Sequence, residues 1–468
     1  MEKSAQLHSR YNPQAEAARY IDSLDLKENI ECFILIEPGL GYLVSALREK
    51  FIDSKIIALH ADGGFPSCGV PSYYGTDESG IQEFLEKEVP ETDISNIRII
   101  EWRASLNHFG QLYVKLLSQT AEFLKRLDAG RRTTSVFGRR WIRNFFKNLD
   151  IVSKSVLYRT MNIPVIITGS GPSLEKALPV ICKMQDECLI IAASSSVTAL
   201  SHNGIRADIV IATDGGGWAL RHIYTCFRNA DNTEKTPLFA ANLCAALPSQ
   251  CAKSPLLLMS DGSFWQSIIL KELSLPSVLV PQRGTVTASA VELAMILSGG
   301  NIYLGGMDLS VRDIRTHVRP YGFDYLLYEK ENRFNSVYCR SFFRSDKIRN
   351  GGGLDIYASW FKKQRPLWQD RIFSLDGGSE IFKEALPQKR TEIKNTENYF
   401  NAVRVENEGG SLLRQRGRAA LLSALKDSRY AKRLGEELIP LLFPSEKEAQ
   451  AQELEARIIA VSGGDHHG

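Results

Sequence analysis

Asp214 closes the run Ala207-Asp-Ile-Val-Ile-Ala-Thr-Asp214, and Gly215, Gly216 and Gly217 follow it directly. A carboxylate at the end of a buried apolar run can face a ligand or take a proton. Three consecutive glycines after it are costly in conformational entropy, and they leave backbone open to a ligand. Gly169, Ser170, Gly171, Pro172, Ser173 and Leu174 form a second such turn after the apolar run Val165-Ile-Ile-Thr168. A glycine turn that opens a helix presents backbone N–H groups and the positive end of a helix dipole, which suits a phosphate. Valine at position 171 is expected to block that approach without unfolding the chain.

Further groups fall in comparable places. Ser194, Ser195 and Ser196 follow Cys188-Leu-Ile-Ile-Ala-Ala193, and one helix N-cap needs only one hydroxyl. Asp308 sits in Gly305-Gly-Met-Asp308 after Asn301-Ile-Tyr-Leu304, and Thr285 and Thr287 lie ahead of the helix leading to it. His317 comes nine residues after Asp308, among Arg312, Arg315 and Arg319, in a segment too basic and polar for a core. An imidazole there suits a general base, and the arginines suit a phosphate or carboxylate. Asp214 and Asp308 together also admit a metal reading, though two isolated aspartates support it weakly.

The elements that would position these groups read as α/β. Between residues 161 and 310 short apolar runs alternate with helical stretches, which predicts an open, mostly parallel sheet with helices on both faces. Ligands bind such sheets beyond the carboxyl ends of the strands, so the four loops are expected to share one pocket. Ahead of this region, Cys32-Phe-Ile-Leu-Ile36, a Gly39-x-Gly41 turn and Lys55-Ile-Ile-Ala-Leu-His60 make a βαβ unit. Val44 stands where a third glycine would complete a dinucleotide fingerprint, and Asp62 lies where a ribose-binding carboxylate would sit. That unit therefore reads first as a small Rossmann-like domain with a tight turn and no ligand.

Residues 105–160 read as helical. Gln111–Leu127 is amphipathic, with Leu112, Tyr113, Leu116, Leu117, Phe123, Leu124 and Leu127 on its apolar side. Arg131, Arg132, Arg139, Arg140, Arg143 and Lys147 follow, interleaved with Trp141, Phe145 and Phe146. A net charge of +3 over 468 residues argues for a solvated basic face rather than nucleic acid. Gly351-Gly-Gly-Leu-Asp355 returns to a glycine loop before a helix, and from about residue 390 the pattern is helical again. The organisation expected is 1–105 Rossmann-like, 106–160 helical linker, 161–385 central ligand-binding domain and 386–468 helical module. No apolar run spans a membrane, and the start Met1-Glu-Lys-Ser-Ala-Gln6 lacks the apolar core of a signal peptide. Eight scattered cysteines without a Cys-x-x-Cys pair favour reduced thiols, so a cytoplasmic protein is expected.

Gly169-Ser-Gly-Pro-Ser-Leu174, the run ending at Asp214, and Ile302-Tyr-Leu-Gly-Gly-Met-Asp-Leu309 together resemble the motility-associated factor glycosyltransferases. Gly39-Leu-Gly-Tyr42 and Trp141-Ile-Arg-Asn144 extend the likeness to about residues 30–320. The central domain also resembles bacterial sialyltransferases and a pterin diphosphokinase family. The chain departs from the pattern at Ala207, where proline usually precedes the aspartate. The resemblance implies transfer of a nonulosonic, sialic-acid-like sugar from a CMP-activated donor to serine or threonine of flagellin, without nucleic acid or membrane span. It implies that Gly169–Leu174 hold the CMP phosphate and ribose, and that Ser194–Ser196 and Asp214 contact nucleotide or sugar. His317 is the base by position and chemistry, with Asp308 as the second catalytic candidate. No cofactor is implied by this reading. The alternatives are a 6-hydroxymethylpterin diphosphokinase using ATP and Mg²⁺, and a non-catalytic flagellin-binding assembly factor.

Overall fold

A computed structural model describes residues 7–63, 68–90, 94–228, 237–281, 283–311, 314–350, 353–368, 370–377, 381–388, 394–406, 411–444, 446 and 449–463. The chain divides into two compact units, residues 1–134 and 135–468.

The first unit contains α1 (Pro13–Ser23), β1 (Cys32–Ile36), α2 (Tyr42–Lys50), β2 (Lys55–His60), β3 (Ser72–Tyr74), α3 (Glu78–Glu88), β4 (Ile97–Glu101), α4 (Arg103–Phe109) and the start of α5 (Gln111–Leu149). Its sheet is parallel throughout, in the order β3-β2-β1-β4. All five residues of β1 are buried, as a central parallel strand requires. Tyr113, Leu116 and Phe123 of α5 pack into this core. Leu112, expected on the same side, is exposed instead in the first turn of α5.

The second unit contains β5 (Lys154–Tyr158), β6 (Val165–Thr168), α6 (Leu174–Met184), β7 (Leu189–Ala193), α7 (Val197–His202), β8 (Ile209–Ala212), α8 (Leu220–Arg228), β9 (Leu238–Asn242), β10 (Leu256–Ser260), α9 (Phe264–Glu272), β11 (Ser277–Leu279), α10 (Val286–Leu297) and β12 (Ile302–Gly305). Then come α11 (Asp324–Glu329), α12 (Val337–Asn350), α13 (Gly353–Gln364), β13 (Ile372–Ser374), β14 (Phe400–Arg404), α14 (Leu412–Lys426), α15 (Ser428–Leu442) and α16 (Ala451–Gly463). The sheet runs β13-β12-β6-β7-β8-β9-β10-β5-β14, with β11 also on β10. Every pairing is parallel except β14 on β5.

Neighbouring residues of one strand feed opposite faces. Ile166 and Ile190 join α6 and α9 in one core, while Val165, Ile167, Leu189 and Ile191 join α10 and α13 in the other. This is the sheet with helices on both faces that the sequence predicts. Two segments differ from the helical reading. Lys154–Tyr158 is a strand, and Phe400–Arg404 returns from the C-terminal region to pair antiparallel with it. Gly351 and Gly352 lie outside the described residues.

Candidate functional site

Chain order in the second sheet reverses between β6 and β12. From β6 the strands run outward through β7, β8, β9 and β10, while β12 lies on β6's other side. Such a reversal parts the loops at the carboxyl ends, and that is where an open α/β sheet offers a crevice. The loops after β6 and β12 meet there. Gly169 N–H donates to Gly305 O and Gly171 N–H to Gly306 O, both at 2.8 Å. Ser173 donates to Asp308 Oδ2 from its backbone N–H (3.0 Å) and its hydroxyl (2.7 Å). Asp308 is buried at the first turn of α6, where a carboxylate also complements the helix dipole.

These contacts correct two expectations. A Cβ added at Gly171 would stand 2.1 Å from Asp308 Oδ2 and 2.7 Å from Gly306 O, and one at Gly169 would stand 2.5 Å from Gly306 O. The glycines are needed for one loop to close on the other, so a valine at 171 cannot leave the fold intact. The amides of Gly169, Gly171 and Ser173 are also spent inside the protein, so a phosphate here would be gripped by other donors. Pro172 and Leu174 are buried and shape the turn.

Among the three serines, Ser196 belongs to the scaffold. Its hydroxyl lies 2.8 Å from Thr168 Oγ1 and donates to Ala193 O, which ties the ends of β6 and β7. Ser194 is buried as well. Ser195 is partly exposed and donates to Ser170 Oγ at 3.0 Å, giving a hydroxyl pair at the β6 turn. Thr285 caps α10 by accepting from Ala288 N–H (3.1 Å), while Thr287 Oγ1 borders Gly169.

The loop after β8 is braced from α5. Asn144 Nδ2 donates to Gly215 O (3.1 Å) and Cys244 O (3.0 Å), and Trp141 fills the space where a Gly215 side chain would lie. Gly217 faces open space. Asp214 is exposed and accepts from Gly216 N–H at 2.7 Å.

His317 is not on an open surface loop. Val318 N–H donates to Ser170 O (2.8 Å), which lays residues 314–321 against the β6 turn. Arg315 reaches both oxygens of Glu175 at 2.9–3.0 Å and pins that strap to α6. Arg312 lies outside the described residues. The His317 ring stacks on Tyr321 with centroids 4.1 Å apart, and its Nδ1 is 2.9 Å from Thr316 Oγ1. Burial, helped by Arg344 and His222, pushes the imidazole down to about 3, so it is neutral near pH 7.

His222 on α8 had no sequence signal. It is 5% exposed, lies 4.9 Å from the Tyr321 ring and 4.6 Å from Phe323, and burial lowers it to about 4. Trp218, just past the glycines, meets Phe323 at 6.1 Å. The loop after β8 thus reaches the strap through aromatic rings, the β6 turn reaches it through the Val318–Ser170 hydrogen bond, and the loops after β7 and β12 are bonded to that turn.

Asp214 accepts from Gly216 on its own loop, whereas Asp308 accepts from Ser173 on the β6 turn. Among the described residues no three of His, Cys, Asp and Glu group together to hold a metal ion. The donor set does not fit an ion shared between those two carboxylates.

In the first unit the Gly39–Gly41 loop follows β1 with both glycines at positive φ, 66° and 86°. Leu40 N–H donates to His8 Nε2 (3.2 Å), His8 stacks on Trp102, and Trp102 Nε1 donates to Leu7 O (2.7 Å). The chain's own Leu7 and His8 fill the place beside this turn. Asp62 is exposed beyond β2.

Fold and site define an open α/β protein whose largely parallel sheet gathers its loops at the strand reversal. A family model described as 6-hydroxymethylpterin diphosphokinase MptE-like matches residues 139–313. An uncharacterized protein of Treponema pallidum (strain Nichols) is 26% identical over 289 residues, covering 60% of this chain. The chain likewise spans 60% of that relative's length. The structure of MAf glycosyltransferase from Magnetospirillum magneticum AMB-1 matches with a TM-score of 0.51 and 14% identity, over 92% of this chain and 72% of that one. At that identity the likeness is one of fold. Among the described residues no helix is long and apolar enough to cross a membrane.

Proposed function

We propose that the chain is a cytoplasmic glycosyltransferase that moves a nonulosonic sugar from a CMP-activated donor to serine or threonine hydroxyls of flagellin. The observation that carries this is the Val318-to-Ser170 hydrogen bond, which sets an imidazole and a basic strap against the β6 turn at the strand reversal. The shared fold with a structure named as a glycosyltransferase supports it.

In an inverting transfer the acceptor oxygen forms a bond to the anomeric carbon as the bond to the phosphate breaks. The acceptor proton must go to a base, and the departing phosphate needs donors. His317 is the base in this reading. Its Nδ1 is occupied by Thr316, so Nε2 is the nitrogen left to take the proton. With the neighbouring amides spent, the Ser170–Ser195 hydroxyl pair and the basic strap face the phosphate. Asp308 moves from catalysis to positioning, since it holds the β6 turn through Ser173.

The family model at residues 139–313 favours a second reading, phosphoryl transfer to a pterin. Calorimetric titration with CMP, CTP, UDP and ATP separates the two. Preference for cytidine supports glycosyl transfer. Preference for ATP together with binding of 6-hydroxymethylpterin replaces it, and no nucleotide binding with retained flagellin binding leaves an assembly factor.

A further inference from the structure

Two glycines of the loop after β8 have no reason inside the chain. Gly215 is tight against Trp141, but a side chain at Gly216 would meet only Asp214 of its own turn, and one at Gly217 nothing within 4 Å. Neither sits at positive φ, so backbone conformation does not call for glycine either. What they supply is bare backbone, at a cost in conformational entropy. Directly after them stands Trp218, whose indole is held in place. The Arg221 guanidinium lies 5.1 Å over the Trp218 ring and 5.1 Å over the Tyr325 ring, layered between α8 and α11. Phe323 meets the indole nearly at a right angle, 6.1 Å away. With one face under Arg221, an exposure of 63% leaves the other face to solvent. A fixed, open indole face forgoes the burial that a tryptophan ordinarily gains.

We infer that the open face of Trp218 stacks a planar heteroaromatic ring, that of a nucleobase or a pterin, beside the bare backbone of Gly216 and Gly217. The inference rests on the transferase reading of the site and names the residue that grips the ring end of its ligand. β8 lies two strands from β6, which is about 10 Å at sheet spacing. A nucleoside monophosphate bridges that distance, ring on Trp218 and phosphate at the Ser170–Ser195 pair. The charges favour the same polarity. Asp214 at this turn is exposed, so it repels a phosphate and accepts from ring N–H groups, while Arg221 lies on the indole's other face.

The test uses the full chain with Trp218→Ala and Trp218→Phe. Trp218 is exposed, so neither change opens a core. Calorimetric titration with CMP, ATP and 6-hydroxymethylpterin reads ring binding, and ribose 5-phosphate supplies the phosphate without a ring. Whichever ring ligand binds the parent should lose about 5- to 150-fold in Trp218→Ala, the range for one stacked base, and far less in Trp218→Phe. Ribose 5-phosphate should bind all three proteins equally. The ring ligand should also quench tryptophan emission in the parent and leave that of Trp218→Phe unchanged. A nucleotide that binds undiminished in Trp218→Ala overturns the inference and leaves the transferase reading standing. Pterin binding alone that depends on Trp218 supports the inference and replaces the glycosyl donor. Equal loss for ribose 5-phosphate makes Trp218 structural and overturns the inference. Failure of every ring ligand to bind the parent overturns both.

Discussion

Ser173 and Asp308, 135 residues apart in the chain, are joined twice, backbone N–H and hydroxyl both donating to one carboxylate oxygen. The pair fixes the β6 turn against the β12 turn. Asp308→Ala is therefore expected to cost about 1.5–3 kcal/mol of stability, the range for buried hydrogen bonds to a charged group. Nucleotide affinity should fall with it. Asp308→Asn, which keeps an acceptor, should lose less of both. Urea unfolding beside calorimetry checks this. Full stability with abolished turnover would return Asp308 to a chemical role.

Two glycines make a matched contrast. Gly171→Ala puts a methyl group into Asp308 and the Gly306 carbonyl, and should destabilise by about 3 kcal/mol, the upper end for overpacking. Gly217→Ala meets nothing within 4 Å, and its effect should stay within about 0.5 kcal/mol. Thermal melts of the two proteins, measured side by side, decide whether the glycine turns are structural or open.

Turnover should show no acidic limb near the ordinary histidine value, because His317 stays neutral down to about 3. A midpoint near 6.5 in the rate profile would assign proton acceptance to a different group.

Stability should respond to pH where the two imidazoles do not. His222 titrates at about 4 when folded and near 6.5 when unfolded. Between those values the unfolded chain binds a proton that the folded chain does not, so stability is full above 6.5 and is lost as pH falls towards 4. His222→Phe should reduce the loss between pH 7.5 and 5.0 by about 1–2 kcal/mol. An unchanged pH slope in denaturant titrations would mean that His222 is not desolvated.

Asn148 Nδ2 donates to Leu243 O and Ala245 O, both at 2.7 Å, one helical turn beyond Asn144. Asn148→Leu leaves two buried carbonyls without that donor and should cost about 1–3 kcal/mol. Amide exchange in residues 243–246 should accelerate with it. Asn144→Ala should instead loosen residues 213–217 and leave global stability closer to the parent.

The strands that carry the site were legible because each is a short apolar run followed by a turn of glycine, serine or aspartate, and parallel strands buried on both faces read that way. β5 and β14 were not. Lys154-Ser-Val-Leu-Tyr158 lacks the period-2 alternation of a strand, and four of the five residues of Phe400–Arg404 are exposed on the sheet edge, which leaves no apolar signature. Site loops could be placed by strand ends, but not their internal bonding. That Gly171 faces Asp308 instead of a ligand depends on a strand order no local pattern encodes. His222 lies on an amphipathic helix with nothing beside it in sequence to single it out, and only the arrival of Tyr321 gives it a neighbour.

The pairing of β12 with β6 also sets a timetable on the ribosome. The β6 turn emerges first and waits about 135 residues for the segment that holds it. At ~5–20 residues per second that is roughly 7–27 s. Meanwhile one side of Val165–Thr168 is a bare, apolar strand edge open to pairing with another chain. A lesion at Gly306 or Asp308 lengthens that exposure. Its earliest mark should be nascent chains caught by chaperones and a fall in soluble yield, ahead of any defect in the finished protein.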